Sequence, residues 1–377
     1  MYPVNPNEVP SCAECGFLDE CGGLEGEAFR SGCFQHCNIF CALHGCDMVC
    51  PSVPLLFGEY FEDVGGICVP PRRKLVEISP ARAPFYIPQI NHGWQRDELL
   101  CEPWITIPLY FVARRDRRQR YRVRFSSGDE LRRALRVPTD TRIIVTSVVP
   151  DGYIEDLWAE HKIKRVLEKV ADLKIDAMTV PNYSFMLDAP RTNSLYNLSR
   201  IFRMSEAISD AGIATILHLN ASTPKDWDRW RGVLSDQTHI TSVCTEFQTG
   251  PSCKDIGDKY FERLVVLQDS LGRELHPFVL AGGGRLQQLR QNFRSFTVID
   301  SVPFMKTIKR QLLYERVWKW RRRKTPPGAS LSPRLATNIE RYRNRLLARI
   351  GIAWQTGAGQ LLLPVQIENA LQPIVSS

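Results

Sequence analysis

Between Phe85 and Ile299 the chain carries eight short apolar runs, and the last six alternate regularly with segments of helical spacing. They read PFYIP, WITIPLYF, RIIVTSVV, DAMTV, IATILHL, HITSVCT, PFVLA and FTVI. Each is short for a core helix and long enough for one buried strand. Between them, IEDLWAEHKIKRVLEKVADL (154–173) repeats its apolar residues every three or four positions. LYNLSRIFRMSEAISDAG (195–212) does the same and closes on Gly212, a common helix stop. LVEI (75–78) reads as a further strand before the series. Strands alternating with helices make a parallel sheet, and eight of them close into a (β/α)8 TIM-like barrel. The rival is an open doubly wound sheet. No G-x-G-x-x-G opens a helix here, and a bare Gly282-Gly283-Gly284 is a weak nucleotide signal.

In α/β folds the chemistry gathers where strands end. The polar residues at those ends are Asp151, Asn182, Asp188, Asn220, Glu246, Gln248, the three glycines 282–284 and Asp300. Each also suits a helix cap or turn. The stretch from His276 to Arg310 is the most pointed: strand, glycine turn, polar helix, strand, acid. Asp300, directly after FTVI, is therefore the candidate for the central catalytic residue.

The flanks differ from the middle. Eight of the twelve cysteines fall between Cys12 and Cys50: Cys12, Cys15, Cys21, Cys33, Cys37, Cys41, Cys46 and Cys50, with His36 and His44 among them. Residues 1–12 lack a basic segment followed by an apolar stretch, so no secretory signal is read and a cytoplasmic location is expected. Clustered thiols there point to metal rather than disulfides. Zinc in closed four-ligand sites is expected, with an iron–sulfur cluster as the alternative, since thiolates suit both. No apolar run approaches the length of a membrane span.

Charge is unevenly spread over the 377 residues, whose net value is +8. RRDRRQRYRVRF (114–125) holds seven arginines, including Arg114, Arg115, Arg117 and Arg118, against the single Asp116. VWKWRRRK (317–324) sets Arg321, Arg322 and Arg323 beside two tryptophans, and RYRNRLLARI (341–350) reads as an amphipathic helix with a basic side. Two separated basic patches with aromatic neighbours favour a nucleic-acid backbone as partner. Three regions follow: a cysteine-rich metal segment (1–70), the barrel (71–310) and a basic helical extension (311–377).

The order of strand ends resembles the tRNA-guanine transglycosylase superfamily. HPFVLAGGGR is similar to its penultimate strand and glycine turn, VIDSVPF to the last strand and its nucleophilic aspartate, and APFYIP to its first strand. The resemblance implies a (β/α)8 barrel, Asp300 as nucleophile and replacement of guanine in nucleic acid by a 7-deazaguanine. The family's D-S-G-x-F-Q acid/base motif is absent; TSVVPDG stands there, leaving Asp151, with Asp188 in reserve. The family's zinc cysteines follow the last strand, whereas here the cysteines come first. These departures, with the basic patches, favour the branch acting on DNA over one acting on tRNA. Asn182, Asn220, Glu246 and Gln248 become candidate readers of the base edge, and Gly282–Gly284 a place for sugar or phosphate to approach. The alternatives are a non-catalytic zinc-containing nucleic-acid-binding protein and an iron–sulfur redox enzyme on the same barrel.

Overall fold

All eight apolar runs form parallel strands of one sheet. In the computed structural model the described residues are 54–79, 83–185, 191–324 and 328–352, with Glu20, Val49 and Pro326. The eight cysteines of the amino-terminal cluster, Asp188 and the apolar stretch 360–367 lie outside them. The strands are β1 (Tyr86–Pro88), β2 (Trp104–Pro108), β5 (Arg142–Thr146), β6 (Ala177–Thr179), β7 (Ala214–His218), β8 (Ser242–Glu246), β9 (His276–Leu280) and β10 (Thr297–Asp300). Two short hairpin strands, β3 (Ala113–Arg115) and β4 (Tyr121–Val123), interrupt the count. The spatial order is β1-β10-β9-β8-β7-β6-β5-β2, so each strand neighbours the next barrel strand in sequence. At the seam, Gln89 bridges Thr106 in parallel and the Ile90 N–H donates to the Thr106 carbonyl at 2.9 Å. That bridge brings the two edge strands together and makes a nearly closed (β/α)8 barrel.

Inside it, Ile87, Trp104, Ile144, Ile216, Phe278 and Ile299 form part of the core. LVEI is not a strand. It runs extended across the amino ends of β7 and β8, where the Val76 carbonyl accepts from Thr215 N–H at 2.7 Å. The Glu77 carboxylate takes the N–H groups of Thr241 and Ser242 at 2.6 and 2.7 Å. Side-chain capping of this kind replaces a ladder with fixed hydrogen bonds at one end of the barrel.

The helices are α1 (Pro54–Asp63), α2 (Leu109–Val112), α3 (Gly128–Leu135), α4 (Asp151–Lys164), α5 (Val166–Ala171), α6 (Arg191–Asp210), α7 (Pro224–Asp236), α8 (Lys254–Leu271), α9 (Leu286–Asn292), α10 (Val302–Ile308) and α11 (Ser332–Arg349). WITIPLYF is strand only to Pro108, whose missing N–H ends the ladder, and LYFV turns into α2. The segment 154–173 is two helices, split where Arg165 is left-handed (φ 48°).

The chain divides into two compact units. The larger comprises the described residues of Leu75–Pro181, Ala207–His218 and His239–Ser377, and holds every barrel strand. The smaller comprises those of Met1–Lys74, Asn182–Glu206 and Leu219–Thr238. Within the smaller unit, Arg200 lies over the Tyr183 ring at 4.0 Å, and Trp230 meets Phe202 edge-on at 5.3 Å. Arg191 and Arg229 both bind Glu20 and the buried Asp226. A capping box of Thr223 and Asp226 starts α7.

The expected helical extension begins instead with an antiparallel hairpin, β11 (Gln311–Tyr314) and β12 (Lys319–Arg322). Among its described residues it is helical only in α11. Asn338 of α11 ties the two together, accepting from the Leu313 N–H at 2.9 Å and donating to the Gln311 carbonyl at 3.0 Å.

Candidate active site

Asp300 is the last residue of β10, the eighth barrel strand. Ile299 packs in the barrel core, so strand alternation turns Asp300 toward the helices at the rim. Its Oδ2 accepts from the Tyr342 hydroxyl of α11 at 2.6 Å, and its Oδ1 from the Val302 N–H at 2.8 Å. Burial raises the pKa of this carboxyl above the ordinary value of 3.8, while Tyr342 and the backbone N–H groups of Val302 and Ser301 draw it down. Burial and the adjacent carboxylate push the Tyr342 phenol far up, so it remains a donor. Two further side chains enclose the pair. Tyr86 of β1 lies 5.7 Å from the Tyr342 ring, and Arg343, ion-paired with Glu102 at 2.5 Å, lies over Tyr86 at 5.9 Å.

The glycine turn belongs to the same cluster. A Cβ on Gly283 would lie 3.5 Å from the Tyr342 hydroxyl, so the turn passes directly by the phenol that holds Asp300. Gly282 admits no side chain, because a Cβ would come within 2.5 Å of Val279. Gly284 faces open space.

A second set of groups lies on the inward face of the barrel. By alternation with core residues, Gln89, Thr106, Thr146, Thr179, His218 and Glu246 stand toward the carboxyl ends of their strands. Thr146 donates to Gln89 at 3.2 Å, and Thr179 accepts from the Ser147 N–H at 2.8 Å. Thr106 Oγ1 and both ring nitrogens of His218 are buried with no hydrogen-bond partner among the described residues. Burial alone lowers the His218 pKa to about 3, so its imidazole is neutral. It offers one donor and one acceptor inside the barrel.

The other sequence candidates are distributed as follows. Glu246 turns back on its own loop: its carboxylate accepts from the N–H groups of Gln248 and Thr249 at 2.7 and 3.0 Å, and from the Thr249 hydroxyl. Gln248 itself is exposed. Asn182 and Asn220, in the smaller unit, bond each other at 2.9 Å, and Asn220 also donates to the Tyr183 carbonyl at 2.8 Å. Asp151 is exposed at the first residue of α4. Among the arginines, Arg115 is ion-paired with Asp156 at 2.6 Å and with Glu160 at 3.4 Å. Arg114, Arg117 and Arg118 are exposed on the β3–β4 hairpin, and Arg321, Arg322 and Arg323 on or beside β12. Tyr342 and His218 were not among the sequence candidates. Both sit at apolar-spaced positions that read as core.

Among the described residues no group of three or more His, Cys, Asp or Glu side chains is placed to hold a metal, and Cys68, Cys101, Cys244 and Cys253 are free thiols. No helix among them is long and apolar enough to cross a membrane.

No protein-family model matches the chain. No curated protein matches it either. Among solved structures, the tryptophan synthase alpha chain from Legionella pneumophila subsp. pneumophila is 10% identical, covering 70% of this chain and 93% of its own, with a TM-score of 0.35. A HpcH/Hpal aldolase/citrate lyase family protein from Burkholderia cenocepacia J2315 is 11% identical, covering 60% of this chain and 92% of its own, with a TM-score of 0.33. The barrel assignment rests on strand order and register instead.

Proposed function

We propose that this chain is an enzyme that exchanges guanine in nucleic acid, DNA in preference to tRNA, for a 7-deazaguanine base. The observation that carries the reading is the Asp300 carboxylate, held at the end of the eighth strand by Tyr342 and the Val302 N–H beside a glycine turn. A carboxylate so fixed is suited to attack at a sugar carbon. An Asp300 oxygen forms a bond to C1′ as the C1′–N9 bond breaks, and the bond pair leaves with guanine, which takes a proton from an acid. The incoming base then gives its N9 proton to the conjugate base of that acid and displaces the carboxylate at C1′. We assign the acid/base role to Asp151, with Asp188 in reserve. The preference for DNA rests on resemblance to the DNA-acting branch and on the two basic patches. Zinc held by the cysteines between Cys12 and Cys50 is the proposed structural metal, with iron–sulfur as the alternative; the absorption spectrum and metal content of the purified protein separate them.

One observation favours a second reading. Both Asp300 oxygens already accept hydrogen bonds, and the bond from Val302 is one a helix cap would make. On that reading the chain binds nucleic acid without altering it. Trapping decides between them. Incubated with DNA or tRNA and a labelled 7-deazaguanine base, the parent protein is expected to exchange bases through an adduct that survives denaturation. Asp300→Asn should form no adduct and exchange nothing, yet bind nucleic acid as the parent does. A parent that binds nucleic acid but forms no adduct and exchanges nothing would leave the binding protein as the surviving reading, and full exchange by Asp300→Asn would take the nucleophile's role from Asp300.

A further inference from the structure

The loop after β1 starts at the candidate nucleophile. Pro88 is in register with Asp300, and the Gln89 N–H donates to the Asp300 carbonyl at 3.0 Å. A few residues on, Trp94 is 68% exposed, the most exposed large apolar side chain among the described residues. Single exposed apolar residues are ordinary on protein surfaces. Trp94 differs in being held. Its ring stacks on His92 with centroids 4.8 Å apart and planes 20° from parallel, and His92 meets Phe304 edge-on at 4.9 Å. Phe304 is buried in α10, the helix that begins beside Asp300.

The backbone on either side is fixed as well. A Cβ on Gly93 would collide with the Ala134 carbonyl oxygen, so the loop rests directly on α3. Gln95 is left-handed (φ 60°), and its carbonyl accepts from the Leu331 N–H at 2.7 Å. The Asp97 N–H donates to Ser332 at 3.1 Å. Within this anchored loop, Asn91 Oδ1 and His92 Nδ1 are buried without hydrogen-bond partners among the described residues. Positive charge adjoins it: Arg310 reaches the Gln95 side chain at 3.4 Å, and Lys309 precedes Arg310 in the chain.

We infer that Trp94 is a stacking platform for an unpaired nucleobase next to the one that reacts, so that the substrate is single-stranded or opened at its target. The inference rests on the base-exchange reading above. Taking a base out of a helix leaves its neighbour's face uncovered, and a flat aromatic ring covers it for any base. A ring already held in place loses little freedom on binding. Arg310, beside Gln95, would meet a phosphate next to that base.

The test measures binding of fluorescein-labelled oligonucleotides, single-stranded and fully paired, to the parent, Trp94→Ala and Trp94→Phe over a range of salt. Stacking of one base corresponds to about 5- to 150-fold in affinity. Trp94→Ala should lose on that scale for the single strand and far less for the duplex, while Trp94→Phe keeps most of it. The slope of log affinity against log salt should not change, because every phosphate keeps its cation. A 2-aminopurine beside the target guanine should be quenched by the parent and not by Trp94→Ala. Equal affinities and equal quenching in parent and Trp94→Ala would overturn the platform while leaving base exchange intact. Equal losses for single strand and duplex would overturn the unpaired-substrate claim. A parent that binds neither would overturn this inference and the base-exchange reading together.

Discussion

The hydroxyl of Tyr342 sets the ionisation of Asp300 against the effect of burial. Burial favours the neutral acid, and the phenol favours the carboxylate that a nucleophile requires. Activity should therefore be lost as pH falls through a pKa that lies above the usual aspartate value. Tyr342→Phe removes the opposing hydrogen bond, so the acid limb of the pH–rate profile should move up and turnover near neutrality should drop. An acid limb left in place by Tyr342→Phe would mean that the phenol does not govern the carboxylate. The aspartate was legible because it follows an apolar strand. Tyr342 was not, since Leu335, Ile339, Tyr342 and Leu346 make a buried stripe at helical spacing and any of them reads as packing. Only the fold shows that one member of the stripe spends its polar end on Asp300.

The basic segments behave differently from a uniform charged surface. In the β3–β4 hairpin, Asp116 accepts from the N–H groups of Arg118 and Arg120 at 2.8 and 3.0 Å, and Gln119 is left-handed, which closes the turn. That turn presents Arg117 and Arg118 to solvent, while Arg115 is ion-paired with Asp156 and Glu160. Charge reversal at Arg117 with Arg118, or at Arg322 with Arg323, should weaken nucleic-acid binding alike for all sequences. It should also flatten the log affinity–log salt slope by about 0.9 for each phosphate that is no longer neutralised. Reversal at Arg115 should leave that slope nearly unchanged, and binding titrations at several salt concentrations distinguish the two. A signal for the hairpin was present, because Tyr121, Val123 and Phe125 alternate with Arg120, Arg122 and Arg124 at the period of a strand. Seven guanidinium groups mask that period, because charge and not apolarity dominates the segment. The barrel strands were easier to find, since buried parallel strands read as unbroken apolar runs.

At the scale of the whole barrel, two neutral imidazoles lie in its interior. Burial lowers the pKa of both His218 and His276 to about 3 from an ordinary 6.5. Between those values the unfolded chain binds the protons and the folded chain does not, so stability is full above about pH 6.5 and falls toward pH 3. The melting temperature should drop clearly between neutrality and about pH 5. His276 holds hydroxyl partners in Ser295 and Thr297, whereas His218 has none among the described residues. His218→Leu should therefore reduce the acid sensitivity at little cost in hydrogen bonding, and melting curves of both proteins at the two pH values check it. An unchanged pH dependence would show that His218 is already protonated in the fold. The residue that orients Asp300 is translated 42 positions after it. A nascent chain can thus form all eight strands while Asp300 still lacks the phenol, and the pair is completed only when α11 emerges from the ribosome and docks.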